Sequence, residues 1–448
     1  MKNKYLATLS LLFAISLTSC GENTAYKFSF ADMDEDVMPI SGWIAPASIG
    51  GFNTLEQYQV LKESGLNCIY GHYDRYGIKA DGVDLTGNPK QYDGTEEILK
   101  SLDYASRVGV KYFVRDPLLF EEDSSFKETF ESRGYTNYPS FAGFHYMDEP
   151  QTHEAFETIK ADYNKFRSNV DSKYAFYVNL NPLELFTNNG GFPGYINHVN
   201  DYIDTVNPRF ISFDFYCPKG PFPSVKSLYF NQLEIISKIS QERKIPFWAF
   251  ALATGHSFSA GGYYRAPTET DIYFQVNTIL AYGAKAVQYF CYQTPLFTDE
   301  HSKENYHEKG GSIINEYGQK SEIFPYIKKM NNFIASIDHL LLNSTRKAVM
   351  AVEHYPACYI SEDHYDSYEN VKSLSSNDDI LINIFDHKGK PLYYCVNTSL
   401  QNDSTFTLDF KLKKKFNVYD MDKDIEKIRT KNFTYSLKPG RAVILEVL

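Results

Sequence analysis

Eight short apolar segments, each followed by an amphipathic one, recur between about residues 38 and 340 and constrain the fold of this 448-residue chain more than any other feature. Strands that are apolar at nearly every position suit a parallel sheet with helices on both faces. Eight such units in roughly 300 residues predict an α/β fold of the (β/α)8 or TIM-barrel type. The strand candidates are ISGWIAP, LNCIYGH, VKYFVRD, FAGFHYM, YAFYVNL, RFISFDFY, IPFWAFAL and AVQYFCY.

The alternative layout is a doubly wound open sheet, which also alternates strands with helices. No GxGxxG turn follows any of the eight strand candidates, which disfavours a dinucleotide-binding version of that sheet. The segments between the strands carry helix signals. TLEQYQVLKESG has Thr54 and Gln57 at capping-box spacing and ends on Gly65. TETDIYFQVNTILAYG follows Pro267 and has acids in its first turn.

The character of the chain changes after about residue 343. Runs such as DILINIFDHKGKPLYYCVNTS are rich in strand-forming residues, and DHKGK between two apolar runs is typical of a hairpin loop. We therefore predict a (β/α)8 barrel over residues 38–342, followed by a small antiparallel β-sandwich domain over residues 343–448.

The first nineteen residues combine a basic start, Lys2 and Lys4, with an apolar segment too short to span a bilayer comfortably. LTSC, residues 17–20, resembles the lipobox of bacterial lipoproteins, in which the cysteine is lipidated. The resemblance implies a signal peptide over 1–19, an anchor at Cys20 and a linker over 20–37. Because Gly21 rather than Asp follows, it implies an outer-membrane protein, on the cell surface or the periplasmic face. The alternative is an ordinary secretory signal with a chance cysteine.

Composition excludes several classes of function. The formal net charge of −11 disfavours nucleic acid as a partner, because phosphates attract basic surfaces. No pair of cysteines has CxxC spacing, so neither a zinc knuckle nor a full disulfide framework is indicated, and burial as small apolar residues is expected instead. We expect neither a metal nor an organic cofactor. The five cysteines beyond the signal segment are Cys68, Cys217, Cys291, Cys358 and Cys395.

In a (β/α)8 barrel the chemistry lies at the carboxyl ends of the strands. Acids, amides and aromatic rings collect there in this sequence. Carboxylates and amides bind hydroxyl groups, and aromatic faces stack on the C–H faces of sugar rings, so the composition favours a glycan substrate. The predicted residues at this edge are Trp43, His72, Tyr73, Arg115, Asp116, Asp148, Glu149, Asn179, Asp214, Tyr216, His256, Gln288 and Tyr292.

Structural explanations compete with this interpretation. Asp148 and Glu149, in FAGFHYMDEP, could open a helix, because acids there favour the dipole and Pro150 suits a first turn. That explanation accounts for one acid better than for two adjacent ones. Similarly, Arg115 could form a local ion pair, Trp43 could be core, and a single histidine is more often a hydrogen-bonded loop residue.

The chain resembles (β/α)8 glycoside hydrolases of the large retaining clan, including β-galactosidase-like enzymes with an appended β-domain. In that clan the fourth strand ends in Asn-Glu-Pro, with Glu as the acid/base. Here DEP follows the fourth strand candidate, so the resemblance implies that role for Glu149 and places Asp148 at the Asn position. The stretch over 265–295 also resembles the seventh helix and eighth strand. The resemblance covers about residues 38–340.

One departure from the clan concerns the second carboxylate. The clan's nucleophile is a Glu at the end of the seventh strand, yet IPFWAFALATGHS contains no acid. Glu269 follows at a helix start, where capping is the expected role. Asp214 on the sixth strand is the nearest alternative, and it shares one strand face with Ser212 and Tyr216.

The sequence therefore predicts hydrolysis of glycosidic bonds in a polysaccharide or oligosaccharide. Glu149 is the predicted general acid, its pKa raised by an apolar pocket and by Asp148, and Asp214 is the base or nucleophile. Retention and inversion both stay open. A non-catalytic carbohydrate-binding barrel is the alternative that the missing seventh-strand acid favours. A metal-dependent hydrolase or lyase using His72 and His256 is a third, disfavoured because HxH and HExxH spacings do not occur.

Overall fold

The computed structural model describes residues 27–47, 51–71, 95–120, 125–217, 226–258, 262–295, 306, 310–352 and 364–448. Its first ten strands are β1 (Ile40–Gly42), β2 (Cys68–Tyr70), β3 (Lys111–Val114), β4 (Phe141–Asp148), β5 (Ala175–Asn179), β6 (Ile211–Phe213), β7 (Phe247–Leu252), β8 (His256–Phe258), β9 (Gly262–Tyr264) and β10 (Ala286–Phe290). Strands β8 and β9 form a separate hairpin.

The other eight strands form the predicted parallel barrel. They are hydrogen-bonded in the order β5-β4-β3-β2-β1-β10-β7-β6. A parallel bridge between Leu180 and Phe213, with the Leu180 amide donating to the Ser212 carbonyl at 2.8 Å, joins the two ends of that series. The ring is thus closed, and the predicted (β/α)8 barrel is confirmed over a doubly wound open sheet.

The helices that surround the barrel begin where the sequence signals indicate. Thr54 accepts a hydrogen bond from the Gln57 amide at the start of α1, and Thr268 forms a complete capping box with Asp271 at the start of α7. The helices are α1 (Leu55–Glu63), α2 (Thr95–Val108), α3 (Phe126–Arg133), α4 (His153–Asn169), α5 (Gly191–Val206), α6 (Lys226–Arg243), α7 (Glu269–Ala281) and α8 (Phe324–Leu342).

Part of the predicted linker belongs to the barrel. Phe30 is 1% exposed, and its ring lies 5.3 Å from that of Phe113 and 5.6 Å from that of Trp248. Phe28 stacks on Phe210 at 5.1 Å. These partners lie at or near the starts of strands, so the segment from residue 27 covers the amino end of the barrel. Within the predicted linker over 20–37, Phe28 and Phe30 therefore pack on the barrel, because burial of their apolar rings is favourable.

Strand β4, which ends in the two acids, is irregular at Gly143. This glycine has a φ of +125°, and a Cβ atom built on it would lie 1.9 Å from the Ala175 carbonyl oxygen on β5. The register of β4 shifts against β3 near Gly143 and against β5 between His145 and Met147. Such bulges re-aim the following side chains, and here those side chains include Asp148.

Gly143→Ala should destabilise the barrel by about 3 kcal/mol or more, since it adds a backbone clash to an unfavourable φ. Gly109→Ala is the matched control, because Gly109 also has a positive φ, +69°, but a Cβ atom built on it would meet nothing within 4 Å. Denaturant unfolding followed by tryptophan fluorescence measures this directly, because both tryptophans, Trp43 and Trp248, lie in the barrel. If the two variants lost the same free energy of unfolding, a clash specific to position 143 would be contradicted.

The predicted antiparallel C-terminal domain is confirmed. Lys388 and Gly389, both with positive φ, make the two-residue turn within the predicted DHKGK loop. The strands are β11 (Ser344–Val352), β12 (Val371–Ser376), β13 (Ile380–His387), β14 (Lys390–Asn397), β15 (Ser404–Asp420), β16 (Lys423–Leu437) and β17 (Ala442–Val447).

One continuous sheet folds on itself to make the sandwich. The first half of β15 pairs with β12 and its second half with β17, while β16 follows β15 along both halves. Side chains from both halves, among them Phe406, Leu408, Tyr393 and Leu445, share one apolar cluster. The long strands therefore connect two layers around a common core.

The C-terminal domain is fixed to the barrel by a buried polar cluster. Glu234 on α6 and Arg346 on β11 are 1% and 4% exposed, and their charged groups lie 3.5 Å apart. Tyr282 donates to Glu234 at 2.8 Å, and His364 lies 2.9 Å from it. Several side chains of β13, β14 and β17 also join the apolar core of the barrel. The two parts therefore pack as one body.

Cys68, Cys217, Cys291 and Cys395 are buried free thiols, as predicted, while Cys358 lies outside the described residues. Glu269 forms an ion pair with Arg441 at 2.9 Å, which links α7 to the C-terminal domain. Among the helices in the described ranges, none is both long and apolar enough to cross a membrane.

Candidate active site

The carboxyl ends of the barrel strands open onto a cavity of about 770 Å³. This volume falls within the range of about 300–1,000 Å³ that small-ligand sites occupy. Four carboxylates line the cavity, together with several aromatic rings. The carboxylates are Asp148, Glu149, Glu184 and Asp214, and the rings include Trp43, Tyr216, Phe250, Tyr264, Phe290 and Tyr306.

The two adjacent acids do not begin a helix. Helix α4 starts at His153, and Thr152 is its N-cap, with the side chain accepting from the Ala155 amide. Glu149 has a φ of +48°, a left-handed conformation that is uncommon for glutamate, and its amide donates to the Asn179 carbonyl at 2.9 Å. Backbone strain of this kind concentrates at functional sites. The turn at Glu149 is held in place by the neighbouring strand.

Glu149 and Asp214 form the central pair of the site. Both side chains line the cavity, and they lie near enough for each to influence the protonation of the other. Burial, the charge of Asp148 and the charge of Glu184 together raise the pKa of Glu149 to about 7, although the hydrogen bond from Asp214 opposes them. Asp214 is buried, and burial and the charge of Glu149 raise its pKa as well. Two interacting, buried carboxyl groups do not both ionise readily, so the pair retains a proton near neutral pH.

Asn179 connects the acids to the barrel interior. Its Nδ2 donates to Asp214 Oδ1 at 2.8 Å and to Asp148 Oδ1 at 3.2 Å. Its Oδ1 accepts from Ser212 Oγ at 3.0 Å, and Ser212 Oγ accepts in turn from Gln288 Nε2 at 2.9 Å. Every residue of this hydrogen-bonded network except Asp148 is buried. The network therefore fixes the orientation of Asp214 before a ligand binds.

Asp148 differs from its neighbour in environment. The residue is exposed at the open cavity, although many protein atoms lie around its carboxyl group. This crowding raises its pKa, and the hydrogen bond from Asn179 and the charge of Arg115 lower it. The charge of Asp148 in turn helps to keep Glu149 protonated.

Aromatic rings form one wall of the cavity. Tyr216 stacks on Phe290, with ring centroids 5.7 Å apart, and meets Tyr264 edge-on at 5.4 Å. His256 stacks on Tyr306 at 5.6 Å. Burial lowers the pKa of His256 to about 4, so its imidazole is neutral at neutral pH. Such a wall suits the C–H faces of sugar rings.

The structure brings many of the predicted site residues together. Those that line the cavity are Trp43, Asp148, Glu149, Asn179, Asp214, Tyr216 and His256. His72, Tyr73 and Cys20 lie outside the described residues.

Four predicted residues do not line the cavity: Arg115, Asp116, Gln288 and Tyr292. Asp116 is buried and accepts from the Tyr135 hydroxyl at 2.7 Å. Gln288 is fully buried inside the barrel, where its Oε1 accepts from the Tyr70 hydroxyl at 2.5 Å. The Tyr292 hydroxyl donates instead to the Gln57 carbonyl at 3.4 Å. Arg115 lies behind Asp148, with Nη1 3.4 Å from His145 Nε2. Strand alternation turns neighbouring residues to different faces, so a position near a strand end does not by itself bring a side chain into the cavity.

Several residues that line the cavity were not predicted from the sequence, among them Glu184, Tyr264 and Tyr306. Glu184 lies in the short helical turn Leu183–Phe186, after β5, and accepts from the Tyr264 hydroxyl at 2.9 Å. Tyr264 belongs to the β8–β9 hairpin, and Tyr306 follows later in the chain. The one sequence signal for Glu184 is an acid in NPLELF, shortly after a strand end.

The seventh strand contributes no carboxylate. Strand β7 ends at Leu252, and the four residues that follow it carry no carboxylate: Ala253, Thr254, Gly255 and His256. The partner of Glu149 comes from β6 instead. In the ranges that the structure describes, no group of three or more His, Cys, Asp or Glu side chains is arranged to hold a metal ion.

Fold and site together define a (β/α)8 barrel with a carboxylate-lined cavity at the carboxyl ends of its strands. No family model matches the chain, and no curated protein matches it. The structure is similar to a glycoside hydrolase of family 5 from Bacteroides vulgatus, with a TM-score of 0.54, 12% identity and coverage of 92% of this chain and 89% of that one. It is also similar to an Anoxybacillus alpha-amylase, with a TM-score of 0.52, 8% identity and coverage of 93% and 99%. At these identities the likeness shows the fold.

Proposed function

We propose that this protein is a glycoside hydrolase that cleaves glycosidic bonds in a polysaccharide or oligosaccharide. The observation that carries the proposal is the Glu149–Asp214 carboxyl pair, in which one group keeps a proton near neutral pH. Glycoside cleavage needs such a proton donor and a second carboxylate. The similar solved structures, which are glycoside hydrolases, support the same class.

In the proposed mechanism, Glu149 gives its proton to the glycosidic oxygen as the bond from that oxygen to the anomeric carbon breaks. Asp214 attacks the anomeric carbon and forms a glycosyl ester. Glu149 then takes a proton from water, and the water oxygen replaces Asp214 at that carbon. This is the retaining route of the two that a carboxyl pair supports, and the configuration of the first product distinguishes it from inversion. Asn179 holds Asp214 in position.

A neutral glycan is the proposed substrate. Four carboxylates line the cavity, and the described part of the lining includes no lysine or arginine. A uronate or sulfate group on the sugar would meet like charge there. The aromatic wall and the amide of Asn179 offer stacking and hydroxyl contacts instead.

Release of shorter products from a panel of neutral glycans, identified by mass spectrometry, tests the proposal. Product from the wild-type protein at neutral pH is the expected result. The second candidate, a non-catalytic carbohydrate-binding barrel, is favoured by the absence of an acid on β7. Binding of a glycan without any product would support that candidate and contradict hydrolysis.

The pH profile should respond to Glu184. A general acid acts only while protonated, so activity should fall as pH rises through the pKa of Glu149, about 7. The charge of Glu184 helps to raise that pKa, and Glu184→Gln should therefore move the alkaline limb of kcat/KM to lower pH. Glu128→Gln, an exposed substitution on α3, should leave the limb in place. An unchanged limb in Glu184→Gln would contradict the electrostatic role.

We also propose that the protein is exported and anchored by a lipid on Cys20. The supporting observations are the LTSC motif and the course of the segment from residue 27, which meets the barrel at the end opposite the cavity. Cys20→Ala should move the protein from the membrane fraction to the soluble fraction of the cells. Retention in the membrane fraction would contradict an anchor at this cysteine.

A further inference from the structure

A concentration of basic side chains on β15 and β16 stands out in a chain of net charge −11. Residues Lys411–Lys415 and 427–431 hold seven lysines and arginines. Four of them define what we call the cationic face: Lys415, Lys427, Arg429 and Lys431, all exposed. Lys411, Lys413 and Lys414 lie beside it, where the register of β15 shifts.

These cations share one side of the ribbon. Lys415 is directly opposite Arg429, and Lys427 is opposite Asn417. Residues paired across an antiparallel ladder lie on the same face, and alternation along β16 adds Lys431 to it. Asp424 and Glu426 alternate to the other face. In the described parts of the chain, none of the four cations forms an ion pair, and Glu446, which is on their side, accepts from Asn417 and Tyr419.

This arrangement costs stability. Like charges directly opposite each other on a sheet are destabilising, and Lys415 faces Arg429. Lysines are common on edge strands such as β16, where they prevent pairing with other chains. That purpose does not require several charges of one sign on one face. Four cations on one face, with no carboxylate partner among the described residues, indicate an anionic partner instead.

The cationic face lies at the amino end of the barrel. Lys285, at the start of β10, donates to the carbonyls of Leu341 and Ser344, so β11 starts at that end. Ser344 is paired with His387, and the β13–β14 turn lies there too.

The ladder continues to the cationic face. Leu392, near the start of β14, pairs with Glu446 near the end of β17. The Leu448 amide donates to the Lys415 carbonyl at 3.0 Å, and Lys415 pairs with Arg429. The opposite end of the ribbon, at Asp422, meets Lys329 near the start of α8. The cationic face and the N-terminal segment over Phe28 and Phe30 are therefore at the same end, and the cavity is at the other.

We propose that the cationic face docks the protein onto a lipid surface with anionic headgroups, so that the cavity at the opposite end faces away from that surface. Clustered lysines and arginines bind such lipids, and each such residue near the surface raises the affinity about fivefold. Leu412, 66% exposed between Lys411 and Lys413, supplies an apolar side chain that an interface accepts. This proposal is independent of the proposed hydrolysis.

Co-sedimentation with vesicles tests the proposal. The protein used begins at Gly21, which removes the predicted anchor and keeps all the contacts described above. It should bind vesicles that contain phosphatidylglycerol more strongly than vesicles of phosphatidylcholine alone, and salt should weaken the binding. Combined Lys415→Gln, Lys427→Gln and Arg429→Gln should lower the partition coefficient roughly 100-fold.

The matched control combines Lys100→Gln, Lys127→Gln and Lys160→Gln, which removes the same charge from the barrel helices and should leave binding unchanged. The thermal midpoint of the ribbon variant should stay the same or rise, because a repulsion is removed. Equal binding to both kinds of vesicle, or equal loss in the control, would overturn the proposal. Binding of the face to polygalacturonate but not to vesicles would overturn it in favour of an acidic glycan.

Discussion

Replacing Glu149 with glutamine should slow the hydrolysis of a natural glycan by about 10²–10⁴-fold, the usual contribution of a general acid. The amide keeps the size of the carboxyl group and its hydrogen-bonding capacity toward Asp214 but donates no acidic proton. Burial and the charges of Asp148 and Glu184 raise the pKa of Glu149 to about 7, which fits its proposed role as proton donor at neutral pH. Initial rates of reducing-end release measure the loss.

The choice of leaving group separates a lost acid from a damaged fold. The dinitrophenolate group of a dinitrophenyl glycoside leaves without being protonated. Formation of the glycosyl ester from this substrate should therefore be nearly as fast in Glu149→Gln as in the wild type. Glu157→Gln, an exposed substitution on α4, serves as the matched control and should retain full activity on both substrates. Near-wild-type rates of Glu149→Gln on the natural glycan would contradict its role.

Asp214→Asn should lower activity by about 10³-fold or more on both kinds of substrate, equivalent to roughly 4 kcal/mol of barrier. The reason is that a nucleophile is needed whatever the leaving group. Asparagine preserves the acceptor for Asn179 Nδ2, so the network below the cavity should remain and thermal stability should not fall. Added azide should restore turnover of the dinitrophenyl glycoside by attacking the anomeric carbon in place of the missing carboxylate.

Two results would contradict this assignment of Asp214. A variant that keeps its rate on the dinitrophenyl glycoside would show that the carboxylate is not the nucleophile. Inversion at the anomeric carbon, detected by NMR of the first product of the wild-type protein, would assign Asp214 to activation of water instead.

The barrel could be predicted from sequence because eight apolar strands in a parallel sheet leave few layouts. The positions of Asp148, Glu149, Asn179 and Asp214 follow from the same reasoning, since each lies at the end of a strand or just beyond it. The carboxyl ends of the strands in a parallel barrel meet at one edge, so residues at those ends are predicted to lie close together.

The remainder of the site depends on features that periodicity does not encode. Glu184 and Tyr264 reach the cavity from a helical turn and a hairpin, whose paths depend on tertiary packing. Gln288 was predicted at a strand end, yet it lies in the middle of β10, and its side chain bonds to Tyr70 and Ser212 inside the barrel. The burial of Phe30 was missed because a short apolar motif in a polar segment has no period.

The most direct test of the central claim is reducing-end release from one panel of neutral glycans by three proteins side by side: wild type, Glu149→Gln and Asp214→Asn. The proposed roles of Glu149 and Asp214 predict product from the wild-type protein at neutral pH. They predict a rate of release at least about 10²-fold lower in each variant. Binding of a glycan with no product from any of the three, or wild-type rates in either variant, would contradict it.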